Sequence, residues 1–154
     1  MNNFMKAAME KAYEGMRAGL GGPFGAVIVK GGEIIACEHN RVLETNDPTM
    51  HAEVSAIRAA TAKLGRFSLD DCEIYSTCMP CPMCLSAIMW AKIPTLYYGS
   101  SAADAADAGF DDDYIYKFIR NDLKDGKLSL EVIDEENCGE LFSEWKSIED
   151  KSMY

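Results

Sequence analysis

Two short segments, His51-Ala52-Glu53 and Pro80-Cys81-Pro82-Met83-Cys84, constrain this chain more than any other feature. Each follows a loop or strand and opens a stretch with helical character: the alanine-rich Ala52 to Leu64, ended by Gly65, and Pro82 to Ala91. Two thiolates three residues apart at a helix start point to one side, and an imidazole from a neighbouring helix start supplies a third donor. Such a nitrogen and two-sulfur set suits zinc. Three protein ligands leave one tetrahedral position for water, which marks a catalytic zinc rather than a structural one closed by four ligands. His39, the other histidine, falls in a predicted strand away from the cluster, while Cys78, three residues before Cys81, stays open as the fourth ligand of a closed site.

The rest of the chain predicts the scaffold. Phe4, Ala8, Ala12 and Met16 recur at helical spacing until Gly19, Gly21, Gly22 and Pro23 stop the helix. Phe24 to Val29, the turn Lys30-Gly31-Gly32 and Glu33 to Glu38 form a β-hairpin. A loop through Asn46, Asp47 and Pro48 feeds the helix at His51. Cys72 to Thr77 alternates like a strand, and Thr95 to Gly99 is a further one. Alternating strands and helices predict an α/β fold whose central sheet is covered by helices on both faces. Beyond residue 102 the pattern weakens to a helical turn at Tyr114 to Ile119, a strand at Leu128 to Ile133 and a helix at Glu135 to Ile148. At 154 residues the whole chain, 1–154, is expected to form one domain.

Composition excludes several function classes. The apolar share of 48% and charged share of 26% fit a globular core. No stretch approaches the roughly 20 apolar residues that span a bilayer, and the first residues lack a signal-peptide pattern, so a cytoplasmic location is expected, without membrane partners. The six cysteines are then thiols or metal ligands rather than disulfides. A net charge of −10 without a basic cluster argues against nucleic acid, whose affinity comes from neutralised phosphates. Acidic residues gather at Asp104 to Asp113 and Glu131 to Asp150, both expected to be solvated faces.

A lone His-x-Glu is commonly two surface residues, and a lone C-x-x-C a redox pair or buried thiols. Joined in this order, each opening a helix, they match the zinc-deaminase signature. Zinc held there brings a water's pKa from ~16 towards ~7. Glu53, two residues past His51, points into the cavity rather than at the metal, and carries protons from that water to a ring nitrogen and then to leaving ammonia. The positive helix starts favour the thiolate and carboxylate forms.

Further segments carry a family resemblance: Gly21 to Lys30 (GGPFGAVIVK), Asn46-Asp47-Pro48-Thr49 leading to His51-Ala52-Glu53, and Pro80 to Cys84. The chain resembles the cytidine deaminase superfamily, and within it the small bacterial-type guanine deaminases. The tRNA adenosine deaminases share these segments, whereas Ala105 to Asp112 and Tyr114 to Lys117 are similar to guanine deaminases. The resemblance implies hydrolysis of guanine to xanthine and ammonia. It also implies a three-layer α/β/α sandwich around a five-stranded mixed sheet, assembled as a homodimer. Asn40 would hydrogen-bond the purine, Phe24 would pack on its ring, Ala52 would touch the substrate, and Asp112 would be a second acid near the leaving amine. The C-terminal residues, with Tyr154, would cover the site of a partner subunit by exchange of the tail. One departure stands out: Met79 occupies the position before Pro-Cys that deaminases of this kind fill with Glu. The alternatives are a tRNA adenosine deaminase, a deaminase of another nucleobase, nucleoside or triazine, and a non-catalytic domain in which zinc stabilises a metabolite-binding fold.

Overall fold

The computed structural model describes residues 1–121 and 128–153. Asn2 starts the first helix, α1 (Asn3–Arg17), by accepting from the backbone N–H groups of Phe4 at 2.9 Å and Met5 at 3.1 Å. The helix ends at Gly19, which takes a φ of 71°. The hairpin follows as β1 (Gly25–Lys30) and β2 (Glu33–His39), antiparallel, with a register shift between Ile28 and Val29. A single helical turn, α2 (Val42–Thr45), then leads into α3 (Ala52–Leu64), followed by β3 (Cys72–Cys78), α4 (Pro82–Trp90), β4 (Thr95–Ser100) and α5 (Ala102–Asp107).

The strands form one sheet in the order β2-β1-β3-β4, with β1 antiparallel to β3 and β3 parallel to β4. A mixed sheet results because β3 and β4 are joined by a crossover helix, whereas β1 and β2 are joined by a tight turn. Alternation along β1 divides the core. Ala26 and Ile28 face one layer, with Ile74 of β3, Ala52, Ala56 and Ala60 of α3, and Ile88 of α4. Val27 and Val29 face the other layer, with Tyr75 and with Phe4, Met5 and Ala8 of α1. Buried on both faces, β1 is a nearly continuous apolar run. The three-layer α/β/α arrangement is thus present, with four strands rather than the expected five among the described residues.

Gly25 permits the closest approach between layers. A Cβ placed there would lie 2.0 Å from the carbonyl oxygen of Ala8, so α1 sits directly on β1 only because the side chain is absent.

The contacts group into two units, Met1–Asp113 and Tyr114–Tyr154. The second carries most of α6 (Asp113–Arg120), and α7 (Glu135–Ser147). Leu128 to Ile133, expected as a strand, is not one: the segment is irregular, and Leu128, Leu130, Val132 and Ile133 are exposed. Its apolar and polar residues alternate, but a strand also needs a ladder partner, and none pairs with it among the described residues. No helix of the described residues is long and apolar enough to cross a membrane.

Candidate metal and catalytic site

Both predicted helix starts carry unusual caps. His51 caps α3 and Cys81 caps α4, each in extended backbone conformation, and neither side chain bonds its helix. Positions that ordinarily favour Ser, Thr, Asp or Asn instead hold two metal-binding side chains free to point elsewhere. Pro82 at the first position of α4 presets the turn of the helix.

The loop before His51 is built by its sequence. Asn46 takes a φ of 56°. Asp47 then accepts from the backbone N–H of Thr49 at 2.8 Å and from its hydroxyl at 2.6 Å. The N–H of Met50 donates to the Asp47 carbonyl at 3.1 Å, and the N–H of His51 to that of Thr49 at 2.8 Å. Arg41 donates its N–H to the Met50 carbonyl at 2.9 Å, which ties the loop back to the end of the hairpin.

The donors converge. The ligand atoms of His51, Cys81 and Cys84 all lie within 4.8 Å of one another, and His51 Nδ1 is 3.6 Å from Cys81 Sγ. In a tetrahedral site with bonds of about 2.05 Å to nitrogen and about 2.3 Å to sulfur, the two atoms stand about 3.6 Å apart. The chemistry and spacing of the donor set therefore fit zinc. Cys84 donates its thiol proton to Cys81, and His51 adds a second interaction, so Cys81 is held as a thiolate with a pKa lowered to about 4. Cys84 is pushed up in turn, mainly as that donor. The same contact with Cys81 raises His51 above the ordinary imidazole value.

Glu53, in the first turn of α3, is 6% exposed, and burial raises its carboxyl above the usual carboxylate range. The Ser76 hydroxyl donates to its Oε1 at 3.0 Å. A carboxyl whose proton affinity is raised by burial, beside a cluster of metal-ligating side chains, is suited to proton transfer.

Cys78, open as a fourth ligand, instead directs its thiol to the Ser101 carbonyl at 3.4 Å and is not among the clustered donors. His39 lies at the end of β2, with Nδ1 2.8 Å from the Asn40 carbonyl. Met79 donates its backbone N–H to the Ser100 carbonyl at 2.9 Å, fastening the end of β3 to β4.

Asn40 is buried, and its Oδ1 accepts from the N–H groups of Gly22 at 3.3 Å and Val42 at 3.2 Å. With the carbonyl end of the amide so occupied, its orientation is fixed. Gly21 makes this possible: a Cβ there would lie 2.2 Å from both the carbonyl oxygen and Oδ1 of Asn40. Gly21 and Gly22 thus seat Asn40, and stopping α1 falls to Gly19.

Among the three consecutive aspartates, Asp112 is half-buried, while Asp111 and Asp113 are exposed. Asp111 accepts from the backbone N–H of Asp113 at 2.9 Å, a local turn bond. Burial raises the Asp112 carboxyl, and the negative charge of Cys81 raises it further, placing Asp112 within electrostatic reach of the cluster. Asp104, expected on a solvated face, also has a local structural role, forming with Ser101 the capping box of α5.

Phe24 meets Phe110 edge to face, with ring centroids 4.9 Å apart. Both line a cavity of about 470 Å³ together with Met5, Met9, Tyr13 and Met16. Its lining also includes Thr77 and Cys78 of β3, and does not include His51, Glu53, Cys81 or Cys84. Ala52, at the start of α3, is fully buried in the apolar layer with Ile28, Ala56 and Ile74. Tyr154 lies outside the described residues.

Two contributions, the bond from Ser76 to Glu53 and the seating of Asn40 by Gly21, are not read from the sequence. The strand register is what exposes Ser76: Ile74 and Ser76 share a face of β3, and Ser76 pairs with Ala26 of the core, so its hydroxyl falls in an apolar layer.

Comparison with known proteins agrees with this geometry. Residues 1–100 match the cytidine and deoxycytidylate deaminase zinc-binding region. The chain is 47% identical over 151 residues to a guanine deaminase of Bacillus subtilis, covering 98% of this chain and 97% of that one. The X-ray structure of guanine deaminase from Bacillus subtilis superposes with a TM-score of 0.94 at 47% identity, covering 100% of this chain and 99% of that chain. A tRNA-specific adenosine deaminase of Aquifex aeolicus is 35% identical over 142 residues, covering 92% and 91% of the two chains. The chain belongs to the cytidine and deoxycytidylate deaminase family, whose zinc-binding region it carries.

Proposed function

We propose that this protein is a zinc-dependent aminohydrolase that converts guanine and water to xanthine and ammonia. The observation that carries the chemistry is the convergence of His51, Cys81 and Cys84 beside the buried carboxyl of Glu53. The choice of guanine is supported by the likeness to a guanine deaminase, which continues beyond the family's zinc-binding region over 98% of the chain.

His51, Cys81 and Cys84 would hold zinc, which when bound would acidify a water from a pKa of about 16 towards about 7. Glu53 takes a proton as the water oxygen bonds to the amine-bearing carbon, and delivers it to the adjacent ring nitrogen. It then moves the second proton to the amine as the carbon–nitrogen bond breaks. Asn40, its carbonyl end tied to Gly22 and Val42, offers its amide N–H₂ to the purine, and Asp112 assists departure of the amine. Phe24 supplies an apolar face for the ring.

The active form is proposed to be a homodimer with exchanged C-terminal segments, Tyr154 covering the partner's site. In support, no residue of α6 or α7 is buried, and Leu141, Phe142 and Ile148 join the exposed residues of 128–133. That is more apolar surface than a short segment ordinarily leaves in water.

The test is ammonia release by the zinc-loaded protein from guanine, guanosine, adenine, cytosine, cytidine and an adenosine-containing RNA hairpin. Guanine is expected to turn over fastest. Faster turnover of adenine or cytidine would remove guanine, and turnover confined to adenosine in RNA would favour a tRNA-directed enzyme.

A further inference from the structure

Ser76 stands out because its polarity conflicts with its place. It is 2% exposed, at the centre of β3, opposite Ala26 and on the face shared with Ile74. That face packs against Ala52, Ala56 and Ala60 of α3. A hydroxyl in such a layer is unfavourable unless it finds a partner. Its partner is Glu53, whose Oε1 accepts from the Ser76 hydroxyl at 3.0 Å.

We infer that Ser76 is a positioning residue for the deamination: by bonding Oε1 of Glu53 it restricts the carboxyl's rotation and so aims it for proton transfer. This rests on the role proposed for Glu53. A glutamate side chain has several rotatable bonds, and its terminal carboxyl torsion is broad. Burial excludes conformers by size, but the plane of the carboxyl is set by the groups that bond it. The backbone N–H of Glu53 and the Cys84 thiol also bond the carboxyl, but the Ser76 hydroxyl is the donor anchored in a central strand, and it restricts that plane from outside α3 and α4. Proton transfer needs the oxygen within hydrogen-bond reach of each site it serves, and misplacement by an ångström is costly.

The experiment is a double-mutant cycle on the zinc-loaded enzyme, combining Ser76→Ala with Glu53→Gln, and metal content and thermal midpoint are measured for each variant. Ser76→Ala is expected to keep zinc at the wild-type stoichiometry and hold KM within about twofold, while lowering kcat about 10- to 100-fold, the range for losing one hydrogen bond to a charged group. Ser76→Thr, which restores the hydroxyl, should recover most of kcat. In the Glu53→Gln background, adding Ser76→Ala should change the residual rate less than about twofold, because the group it positions is gone. Wild-type kcat in Ser76→Ala alongside a slow Glu53→Gln would overturn the role of Ser76 and leave Glu53 standing. Equal fold-losses in both backgrounds would also overturn it, since they mark a purely structural effect. A Glu53→Gln variant as fast as wild type would overturn both roles.

Discussion

Gly21→Ala tests whether the seating of Asn40 matters to turnover. The new Cβ would stand 2.2 Å from two oxygens of Asn40, one of them backbone. Restoring an ordinary contact of 3.4 Å requires Asn40 to withdraw by about 1.2 Å, the difference between the two distances. Neither oxygen moves freely. Oδ1 is held by Gly22 and Val42, and the carbonyl faces the His39 ring. Overpacking of this kind costs about 1–3 kcal/mol. For a chain of this length that lowers the melting midpoint by about 2–12 °C. The catalytic effect should be larger, because a displacement near 1 Å in a substrate-positioning group costs on the order of 10²-fold. Thermal melting and guanine kinetics on the zinc-loaded variant are therefore expected to show a folded, zinc-containing protein with kcat/KM lowered about 10²-fold. A folded Gly21→Ala protein with wild-type kcat/KM would refute the assignment of Asn40 to the substrate, or the claim that Gly21 seats it.

Three further outcomes follow from particular contacts. Asp112→Ala should retain zinc and lose about 10²-fold in kcat on guanine, the lower end of the range for a proton-transferring group; unchanged kcat would return Asp112 to the solvated aspartates beside it. Asp71 is bonded by Arg66 and by Lys30, which hold its carboxyl well below the ordinary value near 3.9. A depressed carboxyl contributes stability above the unfolded-state pKa and loses it as pH falls through the folded value. The melting-point gap between wild type and Asp71→Asn should therefore be constant from neutral pH down to about 4 and narrow below it; a gap that widens on acidification would contradict this assignment. Deletion of Ser152 to Tyr154 should leave zinc content intact and sharply reduce guanine turnover, whereas full activity in the truncated protein, or in a demonstrated monomer, would remove the exchanged lid.

The parts of the molecule legible in the sequence are those whose signals are local and strong. The bounds of α3 follow from its alanine periodicity and Gly65, and the hairpin from its glycine turn. His51, Cys81 and Cys84 could be paired before any coordinates because the ligand types and spacing leave few alternatives. Short elements escaped for a physical reason. The four residues of α2 and six of α5 are too few for a periodic pattern, although the Ser101–Asp104 capping box was visible as a sequence pair. By charge pattern alone the acidic residues from 104 to 113 read as a solvated face, and only the family resemblance set Asp112 apart; in the structure Asp104 caps a helix and Asp112 is half-buried near Cys81. Leu128 to Ile133 failed as a strand because alternation records a preference for a half-buried surface, and pairing depends on a distant partner. Ser76 and Gly21 needed the fold itself. A serine in a strand is ordinary until the register places it in the apolar layer under Glu53.

The most direct test of the account is a single assay on one preparation: zinc per chain, and guanine consumed against xanthine and ammonia formed, for wild type and Glu53→Gln. The wild-type protein should hold one zinc per chain and produce xanthine and ammonia in equal amounts. Glu53→Gln should hold the same zinc and turn over guanine about 10²- to 10⁴-fold more slowly, as expected when proton transfer is lost while the metal site stays whole. Wild-type turnover by that variant, or a zinc-loaded wild-type protein inert towards guanine, would contradict it.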